Sequence, residues 1–412
     1  MVRLAPRFWM KVLAALLVVG VVPIGLVSAV SVTTTRDELT ELGVTNIRQR
    51  ALSTASSIDA YLASRLGDIV LVARIPDVVR HATYPFDPDV KEAARDALKA
   101  AAARSPEYES VGFVDLTGKI TTASILTDEG TSVAFREYFL TAKAGKSYIS
   151  DPSYSVITNR PALFFSAPVQ GVAGEILGVV RTRVNLAAIW DLVEADANSV
   201  GRGSHGALLD DHGIRLAVSE TRGQRQIAES LIYKPIAPID ADTAKKLAAD
   251  RRFGLKTPDQ LVLDPVPALK ATLDDLKRTG ASSGGFAYDA GGEQRGVAAR
   301  LAAKPWAYVL AVPLATYTKA ADDATTNAAL TLAVGVLLAF VIGVLLTRSL
   351  VRPLRQLVGQ ATRVSTGDVD LNAARFDTRH GDDITREVAS AFDRLLNALR
   401  FYALADDPEP RR

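Results

Sequence analysis

The sequence predicts an α+β fold in which two tandem antiparallel sheet modules lie on a long helix, between two transmembrane helices, with a parallel helical bundle at the C-terminus. Three observations lead to this prediction: two long apolar runs without charge, a strand-turn-strand pattern that occurs twice between them, and apolar residues at heptad spacing after the second run. The order of these features along the chain sets the order of the domains.

Composition narrows the classes of partner and chemistry. The chain has 412 residues, which is enough for more than one domain. Its 48 basic and 46 acidic residues leave a formal net charge of +2, and such a balance gives no attraction for polyanions, so we expect no nucleic-acid partner. The absence of cysteine excludes disulfides, thiolate nucleophiles and cysteine-ligated metals.

The first apolar run, residues 12–32, has the length of a membrane span. It carries no charged side chain, and at the helical rise it can cross a hydrocarbon core about 30 Å thick. Residues 1–11, which precede it, contain Arg3, Arg7 and Lys11. A cleaved signal peptide is the alternative, because residues 27–29 form an acceptable cleavage site, although the run is longer than the usual ~7–15 apolar residues.

The second apolar run, residues 324–347, is also free of charge and predicts a second span, with a buried core helix as the alternative. Three arginines follow it: Arg348, Arg352 and Arg355. Since basic flanks stay in the cytoplasm, both ends of the chain are expected inside and residues 33–323 outside. This topology predicts a multi-pass protein of the bacterial inner membrane.

The region between the two runs begins with a helix and continues with strands. Apolar residues recur at helical spacing from Ile47 to Val72 and predict a long helix rising from the membrane. A strand-turn-strand pattern with Asp115 and Gly118 returns later with Asp210 and Gly213. Strand-like runs follow each copy, so we expect two sheet modules, joined by a helix at residues 185–195.

Several short motifs in this region resemble a known family. Residues 136–139, 147–152, 165–169 and 174–186 resemble the membrane-distal half of double Cache sensor domains, and residues 305–314 resemble the closing strand of the membrane-proximal half. The resemblance implies two PAS-like modules that sense a small extracytoplasmic ligand. The long helix and the distal module then occupy residues 33–195, and the proximal module occupies residues 196–323.

The resemblance also indicates where a ligand binds. In amino-acid-binding members, an arginine followed two and three residues later by aromatics holds the ligand carboxylate, and Arg136, Tyr138 and Phe139 match that pattern. The aspartate that receives the ammonium on the last strand is replaced here by Arg183. Arg181 and Arg183 share a face of that strand, and guanidinium groups bind carboxylates in pairs of hydrogen bonds, so an organic anion is favoured over an amino acid.

We therefore predict a small organic anion held by Arg136 and Arg183, with Arg181 adding positive charge. The remaining site residues are aromatic walls and one acid expected to orient an arginine: Tyr138, Phe139, Tyr148, Phe165 and Asp151. The alternative is that these arginines are solvated or paired with surface acids.

After the second span, apolar residues step by three and four between residues 350 and 364 and again between 384 and 402. Neither helix can bury its apolar stripe alone, which predicts a homodimer with a four-helix bundle. Residues 348–402 resemble a HAMP domain, although Asp383 stands for the usual Glu and Thr385 for the usual Gly. The residues expected to carry the relay are Pro353, Leu357, Gly367, Asp382, Ile384 and Phe392. An inert dimerisation coil is the alternative.

No catalytic motif supports an enzyme. The chain has no P-loop, nucleophile elbow or zinc-protease helix, and its four histidines lack metal-ligand spacing, so we expect no catalytic residues, cofactor or metal. Residues 403–412 form a short polar tail, expected to be disordered, which predicts a separate cytoplasmic kinase or other output protein in a chemotaxis-like pathway. The alternatives are a solute-binding or scaffold membrane protein whose bundle only dimerises, and a receptor shortened by truncation.

Overall fold

The computed structural model describes residues 7–219, 232–254, 256–257, 260–346, 358–359, 362–363, 387–388, 390–395, 397–398 and 401. The chain divides into two units. One comprises Glu38–Lys319, and the other combines residues 1–37 with residues 320–412. The candidate site lies entirely within the first of these units.

Helix α1, Arg7–Val72, is 66 residues long and contains both the first apolar run and the helix predicted over residues 47–72. Its buried face consists of residues spaced by three, four or seven positions: Ile47, Ala51, Ala55, Ile58, Leu62 and Ile69. This spacing places them on one side of an α-helix, where they pack into a core shared with two sheets. Helix α1 is therefore a common wall for both sheets.

Two short helices precede the first sheet. Helix α2 is Pro76–Thr83 and helix α3 is Pro88–Ala102. Helix α3 begins where it does because the Asp87 carboxylate accepts hydrogen bonds from the backbone N–H groups of Asp89, at 3.0 Å, and Val90, at 3.2 Å. Pro88 occupies the first helical turn, where a missing N–H costs nothing.

The first sheet is antiparallel, with the strand order β2-β1-β6-β5-β3, and β4 pairs with β5. Its strands are β1 Tyr108–Val114, β2 Ile120–Ala123, β3 Tyr148–Ile149, β4 Ser153–Tyr154, β5 Pro161–Gln170 and β6 Ile176–Val184. A 3-10 turn, Leu126–Asp128, follows β2, and helix α4, Glu137–Lys143, precedes β3. One face of the sheet packs on α1, and the other face forms a separate apolar cluster with α4.

Helix α5, Ala187–Val200, connects the first sheet to the second. The second sheet has the order β8-β7-β11-β10-β9, with strands β7 His205–Leu209, β8 Arg215–Val218, β9 Ser283–Asp289, β10 Glu293–Arg300 and β11 Ala307–Pro313. Helices α6, Ala241–Ala249, and α7, Pro267–Thr279, lie between β8 and β9. The second sheet contributes Leu208, Val297 and Tyr308 to the core around α1.

The sequence repeat corresponds to two turns of the same construction. Asp115 accepts hydrogen bonds from the backbone N–H groups of Thr117 and Lys119, and Asp210 accepts them from the residues at the same spacing, His212 and Ile214. The glycine that follows each aspartate has a positive φ, 87° at Gly118 and 76° at Gly213, which side-chain-bearing residues rarely adopt.

Helix α8, Ala315–Leu346, follows β11 and contains the second apolar run up to residue 346. Within the part of the chain that the structure describes, its stretch Ala315–Leu345 is the one helix whose length and composition would suit a membrane crossing. The first span, residues 12–32, stays a prediction. Near the start of α8, Tyr317 packs so closely on α1 that a Cβ at Gly43 would lie 2.6 Å from the Cγ of its ring.

The predicted relay lies mostly outside the described residues, including its Pro353, Leu357, Gly367, Asp382 and Ile384. Phe392 is described as helical and is 37% exposed. The bundle, the relay roles and the homodimer stay predictions.

Two glycines in neighbouring strands of the first sheet provide a test of the packing. A Cβ at Gly178 would lie 2.4 Å from Phe113 Cζ and 2.8 Å from the Val114 carbonyl oxygen, whereas a Cβ at Gly112 would meet nothing closer than 3.4 Å. We expect Gly178→Ala to lower the free energy of unfolding by about 1–3 kcal/mol. Gly112→Ala is the matched control and should be neutral or slightly stabilising. Urea denaturation of the full chain in detergent, followed by circular dichroism, measures both, and equal stability of the two variants would contradict the packing.

Candidate ligand-binding site

Two buried arginines on β6 converge on one carboxylate. Arg181 and Arg183 share a face of the strand, and their guanidinium groups donate to Asp128 Oδ2 at 2.6 and 3.0 Å. The Ser110 hydroxyl donates to the same oxygen at 2.6 Å. Asp128 lies on the 3-10 turn after β2 and is fully buried, a placement that the sequence did not indicate. We call Ser110, Asp128, Arg181 and Arg183 the arginine cluster.

A second carboxylate completes the charge balance at the rim of the arginine cluster. Arg183 Nε donates to Glu109 at 2.9 Å, and the Glu109 side chain is 25% exposed. Both arginines are therefore paired with acids of the protein, one of them buried and one partly exposed. Two buried atoms of the cluster, Asp128 Oδ1 and Arg181 Nε, lack a hydrogen-bond partner among the described residues. Such atoms are normally satisfied by protein, water or ligand.

The arginine cluster fixes the protonation state of Asp128. Burial by itself raises the pKa of this carboxyl, but the charges of Arg181 and Arg183 and the hydrogen bonds from Ser110 and Arg181 outweigh that effect. The pKa of Asp128 is consequently held below its ordinary value. The carboxylate is therefore ionised near neutral pH.

Arg136, the third predicted anion contact, has other partners. It is 1% exposed, and its guanidinium donates to the carbonyl oxygens of Asp250, at 2.6 Å, and Tyr154, at 2.7 Å. It also pairs with the Asp250 carboxylate at 3.2 Å. Arg136 thus connects the first sheet to the segment that follows α6.

The aromatic residues divide between the two faces of the first sheet. Tyr138 stacks on Phe164 with 4.9 Å between ring centroids, and Phe139 lies in the same apolar cluster, with Tyr148 at its edge. Phe165, predicted as a wall of this site, lies instead on the opposite face against α1. Because side chains alternate along a strand, its neighbour Phe164 takes the place expected for Phe165.

Asp151, the acid expected to orient an arginine, contacts Arg252, which is not one of the three predicted site arginines. Its carboxylate accepts from Arg252 Nη1 at 2.8 Å, from Lys304 Nζ at 3.1 Å and from Trp306 Nε1 at 2.7 Å. Arg252 reaches further to Asp210 at 2.6 Å, and Asp210 belongs to the turn after β7. We call Asp151, Asp210, Arg252, Lys304 and Trp306 the intersheet network, because it joins the β3–β4 loop of the first sheet to the second sheet.

The two acids of the intersheet network have opposite pKa shifts. Burial raises the pKa of Asp210 to about 6, even though Arg252 and the N–H of Ile214 act in the other direction. At Asp151, burial also raises the pKa, but Arg252, Lys304 and Trp306 outweigh it and hold the pKa below its usual value. Asp151 is therefore the acid that keeps its charge when the pH falls below about 6.

Two family models match the chain, and solved structures have a similar fold. The family model described as Cache domain matches residues 35–321, and the HAMP domain model matches residues 345–401. No curated protein sequence matches the chain. The fold is similar to the sensor domain of the V. cholerae histidine kinase DctB, with a TM-score of 0.52 and 13% identity over 66% of this chain and 98% of that one.

Sensor domains of chemoreceptors are also among the similar structures. The ligand-binding domain of the Pseudomonas fluorescens chemoreceptor CtaA in complex with L-alanine has a TM-score of 0.42 and 16% identity, covering 65% of this chain and 96% of that one. The sensory domain of a Campylobacter jejuni chemoreceptor with isoleucine bound has a TM-score of 0.47 and 12% identity, covering 69% and 98%.

A substitution at Asp128 tests how much the arginine cluster contributes to the free energy of unfolding. Asp128→Ala leaves two buried guanidinium groups facing each other without their shared carboxylate, so we expect the free energy of unfolding to fall by about 3–5 kcal/mol. Asp96→Ala is the control, because Asp96 pairs with Lys99 on the surface of α3, and it should change stability by less than about 0.5 kcal/mol. Urea denaturation of the full chain measures both effects. Equal effects of the two substitutions would refute the stabilising role assigned to the Asp128 carboxylate.

The native chain and the Asp128→Ala variant also test whether the Asp128 carboxyl is ionised in the folded state. Because the folded pKa of Asp128 is lowered, its contribution is fully present above the unfolded pKa of about 3.9 and is lost as the pH falls through the folded value. The stability difference between the native chain and the Asp128→Ala variant should therefore be constant from pH 8 to about pH 5 and shrink below about pH 4. A difference that grows toward low pH would contradict the ionised state of Asp128.

Proposed function

Since the chain belongs to the Cache domain family and carries a HAMP domain, it is a sensory signal-transduction receptor, and we propose that it senses a small organic anion outside the cytoplasm. In this proposal both apolar runs cross the bacterial inner membrane. The two sheets act as tandem PAS-like modules, and the first sheet is the membrane-distal one. The receptor has no enzymatic activity of its own, and a homodimeric HAMP bundle passes the signal to a separate kinase or other output protein.

The observation that carries the proposal is the continuity of two helices. Helix α1 runs without a break from the first apolar run into the core shared by both sheets. Helix α8 begins two residues after β11 and continues into the second apolar run. In this proposal, a change in either sheet is passed to the two helices that contain the apolar runs.

The arginine cluster supports the choice of an anion. Its rim acid, Glu109, is partly exposed, so a ligand carboxylate that displaced it would gain the Nε donor of Arg183 without uncovering the buried Asp128. Arg181 Nε, which lacks a partner among the described residues, is a donor that a ligand carboxylate could satisfy, and a water could donate to Asp128 Oδ1. An amino acid is the alternative ligand, although an arginine stands where its ammonium would need an acid.

Transmission requires two states of the receptor with different affinities for the ligand. A ligand that binds both states equally shifts nothing, however tightly it binds. Displacement of Glu109 from Arg183 would act on β6, the strand between β1 and β5, and thereby on the sheet that packs against α1. The bundle would then settle into one of two packings.

A titration tests the ligand class. The full chain in nanodiscs is titrated calorimetrically with mono- and dicarboxylates and with amino acids. We expect a carboxylate to bind and Arg183→Ala to weaken it about 10–100-fold, as for the loss of a charged hydrogen bond. Arg80→Ala is the matched control, because Arg80 is an exposed arginine paired with Asp77, and it should leave the affinity unchanged. Tight binding of an amino acid that survives Arg183→Ala would refute the anion.

The second candidate function is a solute-binding or scaffold membrane protein whose C-terminal helices only dimerise, as their heptad spacing allows. Replacing residues 348–402 with a parallel coiled coil of equal length separates the two. A receptor should keep ligand affinity but lose every ligand-dependent change in its output, here measured as phosphorylation or recruitment of the partner in membranes. Unaltered output after the replacement would favour the scaffold.

A further inference from the structure

A cavity of about 460 Å³ lies between the first sheet and the chain that follows β8. Its volume is within the range of small-molecule sites, about 300–1,000 Å³. Aromatic rings from four parts of the fold line it, and two lysines and one amide supply polar groups. The residues that matter for recognition are Tyr154, Trp190, Tyr233, Phe253, Lys234 and Lys256. The site proposed at Arg183 uses none of them.

The polar groups of the cavity favour a negative charge. Both side chains in its described lining that carry a charge at neutral pH are lysines, and none of the described lining residues is acidic. The ring walls come from β4, from α5 and from the segments before and after α6. Rings on several sides select a flat or branched apolar body, and ammonium groups select a carboxylate.

The cavity lining contains a buried hydroxyl, that of Tyr233, for which the described residues offer no hydrogen-bond partner. The tyrosine is 7% exposed, and its hydroxyl lacks a hydrogen-bond partner among the residues that the structure describes. Its backbone has φ 59°, in the left-handed region that a bulky residue rarely occupies. A buried hydroxyl without a partner is costly, so a ligand oxygen placed beside it would recover a hydrogen bond.

The cavity also adjoins the contacts that join the two sheets. Tyr154 donates its backbone N–H to the Arg251 carbonyl at 2.9 Å and accepts from Arg136 at its own carbonyl. Its ring lies 5.6 Å from that of Tyr233. Phe253, which also belongs to the cavity lining, directly follows Arg252 of the intersheet network. A molecule in the cavity therefore contacts both of the segments that hold the sheets together.

We propose that this cavity is a second ligand site, which takes a monocarboxylate with an aromatic or branched apolar body. The apolar body lies among Tyr154, Trp190 and Phe253, and the carboxylate lies toward Lys234 and Lys256. The Tyr233 hydroxyl donates to a carboxylate oxygen. Occupancy fixes the distance between the β4 segment and the segment after α6, and so acts on the contact between the sheets independently of any anion at Arg183.

The test uses the full chain in detergent and isothermal titration with phenylacetate and cyclohexylacetate. Benzyltrimethylammonium, a ring of similar size with the opposite charge, is the control ligand. We expect saturable binding of at least one carboxylate at one site per chain and no binding of the cation. Failure of both carboxylates to bind, or equally tight binding of the cation, overturns the proposal.

Two variants locate the binding. Ala187, an exposed residue of the cavity lining, is changed to Trp so that the new ring fills the space, and we expect a loss of affinity of at least tenfold. Tyr233→Phe removes only the hydroxyl and should weaken binding about 3–10-fold. Tyr317→Phe is its matched control, because Tyr317 also has a buried hydroxyl without a partner among the described residues but belongs to α8 and is not part of this lining. It should leave the affinity unchanged.

The outcomes separate this site from the one proposed above. Thermal unfolding of each variant confirms that it is folded before its affinity is compared. Binding that persists in Ala187→Trp but disappears in Arg183→Ala overturns the cavity site and leaves the anion site at Arg183 standing. Binding that disappears in Ala187→Trp and persists in Arg183→Ala supports the cavity whatever the fate of the other proposal.

Discussion

The position of one sheet against the other depends on the hydrogen bonds and ion pairs that one carboxylate, that of Asp151, accepts. Its three donors, Arg252, Lys304 and Trp306, all come from the part of the chain that surrounds the second sheet. A carboxylate removed from water is costly unless such donors replace its hydration, and a buried arginine left alone is costly as well. The loop after β3 and the second sheet therefore keep one arrangement, in which both charges are paired.

Helix α1 couples the two sheets to each other. Both sheets bury residues against the same helix, so the intersheet network and the shared core constrain each other. Packed interiors respond to a local change by moving between discrete arrangements, because they deform little. If a ligand binds as proposed, a change at the arginine cluster or in the cavity would reach the helix through the contacts of the shared core.

The local periodicity of the sequence predicted the helices and strands well. Which charged side chains pair with each other became visible only in the folded structure. The long helix, the two aspartate–glycine turns and the common face of Arg181 and Arg183 follow from local spacing alone. Asp128 lies 53 residues before Arg181, and no local pattern connects them. The choice between Phe164 and Phe165 depended on strand register, and a shift of one residue exchanges the faces. The bundle, the dimer and the first span remain predictions.

The close contact between Gly43 and Tyr317 has a mechanical consequence. With no side chain at Gly43, the Tyr317 ring lies directly on the backbone of α1. A methyl group at this position would overlap the ring, so the first turn of α8 would have to shift away from α1. The start of α8 is thus held in place by the absence of a side chain on the neighbouring helix.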